Sequence, residues 1–331
     1  MATSTTRRRL APLGAALFSA ALPGGVRAPA AADVVPRLKS MRFVVPYPPG
    51  GPTDIMARVV AQALAREQPQ IASVENRPGA AGVVGTEAVA RAAPDGATLL
   101  VNASAHVIVP HMVRVPYDPL VDFAPVTNIA AVPLMLVVTP GLPVRSVAEL
   151  VAHAKANPGR LSFASSSNGG APHLAGELFK LMAGVDMAHV PYRGSGQAVP
   201  DLIAGNVQVM FDSMPSSAGA VREGKLRALA VTTAGRQAAF PELPTVSEAG
   251  VPGYEISTWY GIWAPARTPA PFVGLLQAWV ALALRGAEAR ERMAALGAQP
   301  MLDLPAYFAD FVRAEHGRWG RLVRDAGIKA D

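Results

Sequence analysis

The chain contains no cysteine. That excludes disulfides, thiolate metal ligands and a cysteine nucleophile. It does not argue against an oxidising compartment, because a chain of 331 residues buries enough surface to stand without covalent staples. Charge is sparse: 16% of residues are charged, against 50% hydrophobic. The six histidines are scattered, with no metal-ligand spacing. Common catalytic signatures are missing too: there is no G-x-x-x-x-G-K-[ST], no G-x-S-x-G and no H-E-x-x-H. GAAGVVG at 79–85 has the glycines of a dinucleotide loop, but no convincing strand runs directly into it. After the N-terminal segment, no apolar run reaches the length of a membrane-spanning helix.

What is present begins with an address. Arg7, Arg8 and Arg9 precede an apolar run, LAPLGAALFSAALPGG, and then small residues that permit cleavage near Ala30 or Ala32. Basic, apolar and small-residue regions in that order predict a secretory signal over residues 1–32, and hence a periplasmic protein. The arginines leave both general secretion and the twin-arginine route open. Loss of Arg7, Arg8, Arg9 and Arg27 takes the formal charge from +6 to about +2. No basic cluster remains, so nucleic acid is not an expected partner.

The remainder alternates strand-like and helix-like segments. MRFVVPY (41–47) is a β-rich apolar run, and TDIMARVVAQALAREQ (53–68) carries apolar residues at helical spacing. The same alternation recurs through GVVGTEAVARAAP (82–94), GATLLVNAS (96–104) and VPLMLVVTP (132–140). SVAELVAHAKANPG (146–159) predicts a helix with Ser146 as N-cap, Glu149 completing a capping box and Gly159 at its end. Strands and helices then restart, a long β-like run spans 254–266, and mainly helices follow. Two α/β blocks of mostly parallel sheet are expected. Two arrangements are open, a simple tandem and an inserted second block; in the second, which fits better, the runs at 132–140 and 254–266 cross between the blocks and the C-terminal helices return to the first.

Ligands in open α/β sheets lie beyond the C-terminal strand ends. Five such ends carry small polar or glycine-rich loops: PPGGPTD, NASAH, SSSNGGAPH, RGSGQ and DSMPSS. They supply the candidate site residues: Tyr47, Gly50, Gly51, Thr53 and Asp54; Asn102 and Ser104; Ser166, Ser167, Asn168, Gly169 and His173; Tyr192, Arg193 and Gly194; and Asp212. The first and third loops run straight into helices, whose N-termini favour anions. Each candidate also has a plain structural reading. Thr53 is either a helix N-cap or a site residue, and Asp54 either a helix-start charge or a contact to a ligand amine, hydroxyl or water. His106 and His173 fit a hydrogen-bonded scaffold, Arg193 an exposed loop or a carboxylate partner, and Asp212 a turn. Tyr47, Tyr192, Trp259, Tyr260 and Trp263 fit core or rim as well as ligand stacking.

Taken in order, VPYPPGGPTDIMAR, ENRPGAAGVVGTEAVARAAPDGATLL, SSSNGGAPHLAGELF, VPYRGSGQAVPDLIAGNVQVMFDSM, LRALAVTT and PELPTVSEAGVPGYE resemble the extracytoplasmic solute receptors of tripartite tricarboxylate transporters, the Bug family. The resemblance covers nearly the whole mature chain. It implies a type II periplasmic-binding-protein fold, with two α/β domains joined by crossover strands around a ligand cleft. Domain I is then expected over 41–140 plus 256–331, and domain II over 141–255. The Gly50–Asp54 and Ser165–His173 loops become two jaws, acting partly through bridging waters. The implied ligand is a small carboxylate: a di- or tricarboxylic acid, an acidic amino acid or an aromatic acid. Transporter subunits in the membrane are the implied partners of a monomer, and no cofactor is implied. Two alternatives stay open: a receptor of the same fold that feeds a sensor, and an α/β enzyme acting on a phosphorylated or carboxylated metabolite.

Overall fold

The computed structural model describes residues 40–67, 71–325 and 327–328. The expected signal segment lies outside these described residues. β1 (Ser40–Val45) leads into α1 (Pro52–Glu67), β2 (Ile71–Asn76) into α2 (Val83–Ala90), and β3 (Thr98–Ala103) into the short α3 (Ala105–Ile108). β4 (Phe123–Val138) precedes α4 (Val147–Ala156), β5 (Ser162–Ser165) and α5 (Ala171–Ala183). Next come β6 (Ala188–Pro191), α6 (Ser195–Ala204), β7 (Val209–Ser213), α7 (Met214–Arg222) and β8 (Arg227–Val231). β9 (Ser257–Pro265) is followed by α8 (Ala270–Leu284), α9 (Ala287–Ala295), β10 (Gln299–Pro300) and α10 (Pro305–Asp325).

β4 organises everything else. Its first part, through Pro133, pairs with β9, while Leu134–Val138 pairs with β7 and β8. One strand therefore belongs to two sheets. The first runs β2-β1-β3-β9-β4-β10, and the second β8-β4-β7-β5-β6. Pairing is parallel among β1, β2 and β3 and among β5, β6 and β7, but antiparallel wherever β4 or β9 takes part. The expectation of mostly parallel sheets holds only for those two triplets. β4 and β9 depart from it because they carry the chain between sheets, not through a helical crossover.

Strand direction then places the site. β3 is antiparallel to β9, and β9 to β4, so β1 and β3 run the same way as β4. β4 passes from the first sheet into the second, so their C-terminal ends point towards the second sheet. β7 is antiparallel to β4 and parallel to β5, so the C-terminal ends of β5 and β7 point back. In both sheets the order is 2-1-3 (β2-β1-β3 and β6-β5-β7), which opens a crevice where the chain switches direction across the sheet. The two crevices face each other across the middle of β4.

Side-chain alternation assigns each helix to a face. Met41, Phe43 and Val45 of β1 pack with α1, α8 and α9, whereas Val44 faces the core that includes Phe308, Val312 and Trp319 of α10. In β4, Leu134, Leu136 and Val138 face the α4–α5 side, and Met135 and Val137 the α6–α7 side. Ser146 caps α4 by accepting the Glu149 N–H at 3.1 Å. The Glu149 carboxylate returns to the N–H of Arg145 at 2.7 Å, one residue earlier than a standard capping box. The helix stops at Ala156, and Gly159 takes its left-handed φ of 69° beyond the end.

The docking of α10 on β9 depends on a missing side chain. A methyl at Gly261 would run into the rings of Phe308 and Trp263. Gly261→Ala is expected to cost about 1–3 kcal/mol by overpacking, measured by urea unfolding. A loss below about 0.5 kcal/mol, the range of neutral surface changes, would mean that the helix does not need this close approach.

Candidate functional site

The corner after β1 is held from within. Pro52 opens α1, a position where its missing N–H costs nothing. The N–H of Ile55 bonds to the carbonyl of Gly51, so Gly51 occupies the cap position expected of Thr53, and Thr53 lies buried inside the first turn. Asp54 is 2% exposed. Its Oδ2 accepts from the N–H of Gly50 and from Nε of Arg58, each at 2.9 Å, and its Oδ1 accepts from Asn76 at 2.9 Å. Burial alone would raise the Asp54 pKa, but the bonds from Arg58, Gly50 and Asn76 outweigh it and hold the carboxyl below its ordinary value. Asn76 also donates to the carbonyl of Tyr47 at 3.0 Å. The Asp54 carboxylate and the Gly50 N–H are thus engaged with each other, and the corner is rigid before any ligand arrives. Gly50 sits at φ 80°, a conformation that favours glycine.

Beside it, the end of β3 forms a second polar group. The Tyr47 hydroxyl donates to Oδ1 of Asn102 at 3.0 Å, and Nδ2 of Asn102 donates to Thr86 on α2 at 3.3 Å. Thr86 also interacts with Tyr117. Burial lifts the Tyr47 hydroxyl well above its usual range, with Tyr117 and Tyr260 adding to the effect. Ser104 is 1% exposed and its Oγ has no hydrogen-bond partner among the described residues. His106, by contrast, is scaffold. It bonds the carbonyl of Pro119 at 3.1 Å, packs on Phe123 and Trp263, and burial pushes its pKa down to about 4.

The loop after β5 mirrors the first corner. Ser165 donates to the carbonyl of Ser167 at 3.0 Å and contacts Nε2 of His189 at 2.7 Å. Gly169, at φ 74°, donates to Nδ1 of His173 at 3.3 Å. His173 stacks on His189 with ring centroids 3.8 Å apart, and burial, with Lys180 nearby, takes the His189 pKa down to about 4. His173 therefore supports the loop from beneath. Ser166 and Ser167 are half-buried, and the Oδ1 of Asn168 is enclosed without a hydrogen-bond partner among the described residues. The loop already touches the other side: a Cβ on Gly169 would lie 3.4 Å from Sδ of Met112 and 3.5 Å from a methyl of Val109.

At the ends of β6 and β7 the expected residues separate. The Tyr192 hydroxyl turns to Asp201 at 2.8 Å, and burial followed by that carboxylate pushes its pKa up to about 12. Arg193 is exposed, and Gly194 sits at φ 137° just before α6. Asp212 is wholly buried and accepts from Ser195 and Ser217, each at 2.6 Å. Tyr260 of β9 interacts with Ser213 and feels the Asp212 charge, and it is one of the groups that raise Tyr47. Tyr260 thus lies within electrostatic reach of Tyr47 at the first crevice and of Asp212 at the second. From the sequence, Tyr47 and Asp212 are site candidates and Tyr260 fits core, rim or ligand stacking alike, whereas Thr86, Ser195 and Ser217 are not singled out.

The chemistry available is that of an anion receptor without a strong cation. Arg193 is the only arginine or lysine in the five loops, and it lies at an exposed edge. Negative charge must be met by first-turn N–H groups of α1 and α5 and by hydroxyl and amide side chains. A surface hollow of about 380 Å³ bounded by Thr139, Leu142, Ile203 and Gln208 includes none of these residues.

The family description "Tripartite tricarboxylate transporter family receptor" matches residues 56–328. Protein BugT of Bordetella pertussis is 39% identical over 325 residues, covering 97% of this chain and 98% of that protein. An R. palustris protein solved with adipate is 38% identical, with a TM-score of 0.82 over 88% of this chain and 98% of its own. MatC from Rhodopseudomonas palustris, solved with bound malate, is 33% identical, with a TM-score of 0.79 over 87% and 99%.

Proposed function

The chain belongs to the tripartite tricarboxylate transporter family of receptors, which makes it a solute-binding receptor and not an enzyme, and we propose on that premise that its cleft captures a small organic carboxylate. Delivery is then to membrane transporter subunits, from the periplasm, by a monomeric receptor. The lobes are taken as the expected 41–140 plus 256–331 and 141–255, adjusted where β4 changes sheets after Pro133, so that Leu134–Val138 goes with the second lobe and the hinge lies there and in the segment entering β9.

The observation that carries this reading is the opposition of two crevices, each floored by a small-residue corner that opens a helix. Two polar atoms support it, Oγ of Ser104 and Oδ1 of Asn168, one on each side and both buried without a partner among the described residues. A buried polar atom left unpaired costs about 1–3 kcal/mol; a ligand carboxylate relieves that cost at Ser104 by accepting from its hydroxyl, and a bridging water relieves it at Asn168 by donating to Oδ1. Two structures of relatives hold adipate and malate, which are ligands of the proposed class.

A matching carboxylate at a hundredfold excess over its dissociation constant is expected to stabilise the fold by about 2.7 kcal/mol. A thermal-shift panel of di- and tricarboxylates, acidic amino acids and aromatic acids tests this, with the methyl ester or amide of each hit alongside. Equal shifts from acid and ester would defeat the helix-end site, because the ester lacks the charge that those ends favour.

A further inference from the structure

Asp212 is the one fully buried carboxylate among the described residues, and it has no cation. No lysine, arginine or histidine among them pairs with it. Both oxygens are held by serine hydroxyls, from Ser195 at the first position of α6 and from Ser217 in the first turn of α7, each at 2.6 Å. Ser213 adds a backbone hydrogen bond. The neighbouring strand β4 offers only Leu134 and Met135 opposite Ser213 and Asp212. β9 offers Tyr260, with Tyr47 beyond it. On the β5–β6 side, His173 and His189 are stacked on each other and engaged with Gly169 and Ser165. Arg193, two residues before Ser195, is exposed and makes no ion pair among the described residues.

This carboxylate stands where the two sheets meet, at the end of β7 beside the point where β4 changes partners. Burial pushes its pKa up to about 6, against the opposing pull of Ser195, Ser217 and Ser213. An anionic ligand drawn into the same water-poor cleft adds a like charge on the far side of Tyr260 and Ser195. Two like charges in one enclosure favour protonation of one of them. We infer that ligand capture is proton-linked: the cleft takes up the anionic carboxylate together with up to one proton from solvent, and that proton resides on Asp212. Once protonated, Asp212 donates to one of its serines. If that serine is Ser195, half-buried at the cleft edge, its own proton is released to point towards the ligand. Asp212 is then a positioning residue, converting the α6 end from acceptor to donor. The inference rests on the carboxylate-receptor reading above.

The test is titration calorimetry with adipate or malate in two buffers of different ionisation enthalpy. At about pH 7.5 the ligand carboxylates are fully ionised, so any proton taken up is the protein's. The wild type is expected to take up a fraction of a proton per ligand. With Asp212 starting from about 6, its affinity should fall about fivefold between pH 6 and 8 if the ligand raises that value by one unit, and about 25-fold if by two. Asp212→Asn should bind without proton uptake and with flat affinity over that range. Ser217→Ala removes a donor to the charged form and should extend the uptake to higher pH. Identical heats in both buffers from pH 6 to 8, with carboxylate binding intact, would overturn the proton linkage while leaving the receptor reading standing. Undiminished uptake in Asp212→Asn would overturn the assignment to this residue. Failure of any carboxylate to bind would remove the receptor reading, and the proton linkage with it.

Discussion

Replacing Glu315 with alanine is expected to remove about 3–5 kcal/mol of folding stability, a large share of the margin of an ordinary domain. Glu315 lies on α10 with 8% of its surface exposed. Its Oε2 accepts two indole N–H groups, from Trp259 of β9 and Trp319 of α10, each at 2.8 Å. Both tryptophans are buried, so neither N–H can turn to water when the acceptor goes. Each orphan costs about 1–3 kcal/mol, and the vacated volume adds a packing loss. Glu315→Gln keeps one carbonyl oxygen with two lone pairs and should cost only about 1 kcal/mol. Urea unfolding of both variants decides the matter; an alanine variant no weaker than the glutamine one would show that the indoles find other acceptors. Trp259 is also the residue beside Tyr260, so the alanine variant should loosen the strand that carries Tyr260 into the cleft.

Much of this architecture is legible before any coordinates. The apolar run into PPGGPTD announces a strand, a stiff corner and a helix, and those elements are found at 40–45 and 52–67. The half of β4 before residue 132 is not legible, because Pro125 argues against a strand interior, whereas Pro133 falls inside the run that does read as a strand. Both prolines are tolerated for local reasons: the register slips between Pro125 and Thr127, and Pro133 stands where β4 changes partner. α7 is hidden in DSMPSS, whose small residues read as loop, although Pro215 sits at the helix start where proline is favoured. Tyr260 stays undecided between core, rim and ligand stacking, because only sheet pairing, opposite Ala103 and Ala130, brings it to the junction. Thr86 is an ordinary helix residue until the fold sets it against Asn102. In each case the missing information is long-range pairing, which local propensity does not contain.

Asp54 shows the same limit and yields the second large effect. As a helix-start charge alone, its loss costs about 0.3–1 kcal/mol. The structure makes it the acceptor of three hydrogen bonds that tie Gly50, Arg58 and Asn76 together. Arg58 is about half exposed (48%) and recovers water on release, so its share is discounted. The Gly50 N–H and the Asn76 amide lose a charged acceptor, and Asp54→Ala is expected to cost about 2–4 kcal/mol at pH 7. Asp54→Asn should be little better, because its NH₂ would face donors where the wild type offers only oxygen. The pH dependence follows from the depressed carboxyl. Its contribution is fully present above the unfolded value of about 3.9 and is lost as pH falls through the lower folded value. Both variants should therefore lose stability at neutral pH and show a flatter acid limb than the wild type. Freed from Asp54, Gly50 and the residues after it need ordering by the ligand itself. Affinity for the best carboxylate should fall about tenfold, or about 1.4 kcal/mol. Urea midpoints from neutral pH down to the acid limb, with calorimetry at pH 7, measure both effects. A stability loss under about 1 kcal/mol with unchanged affinity would return Asp54 to the role of a helix-start charge and leave the corner's rigidity to its prolines.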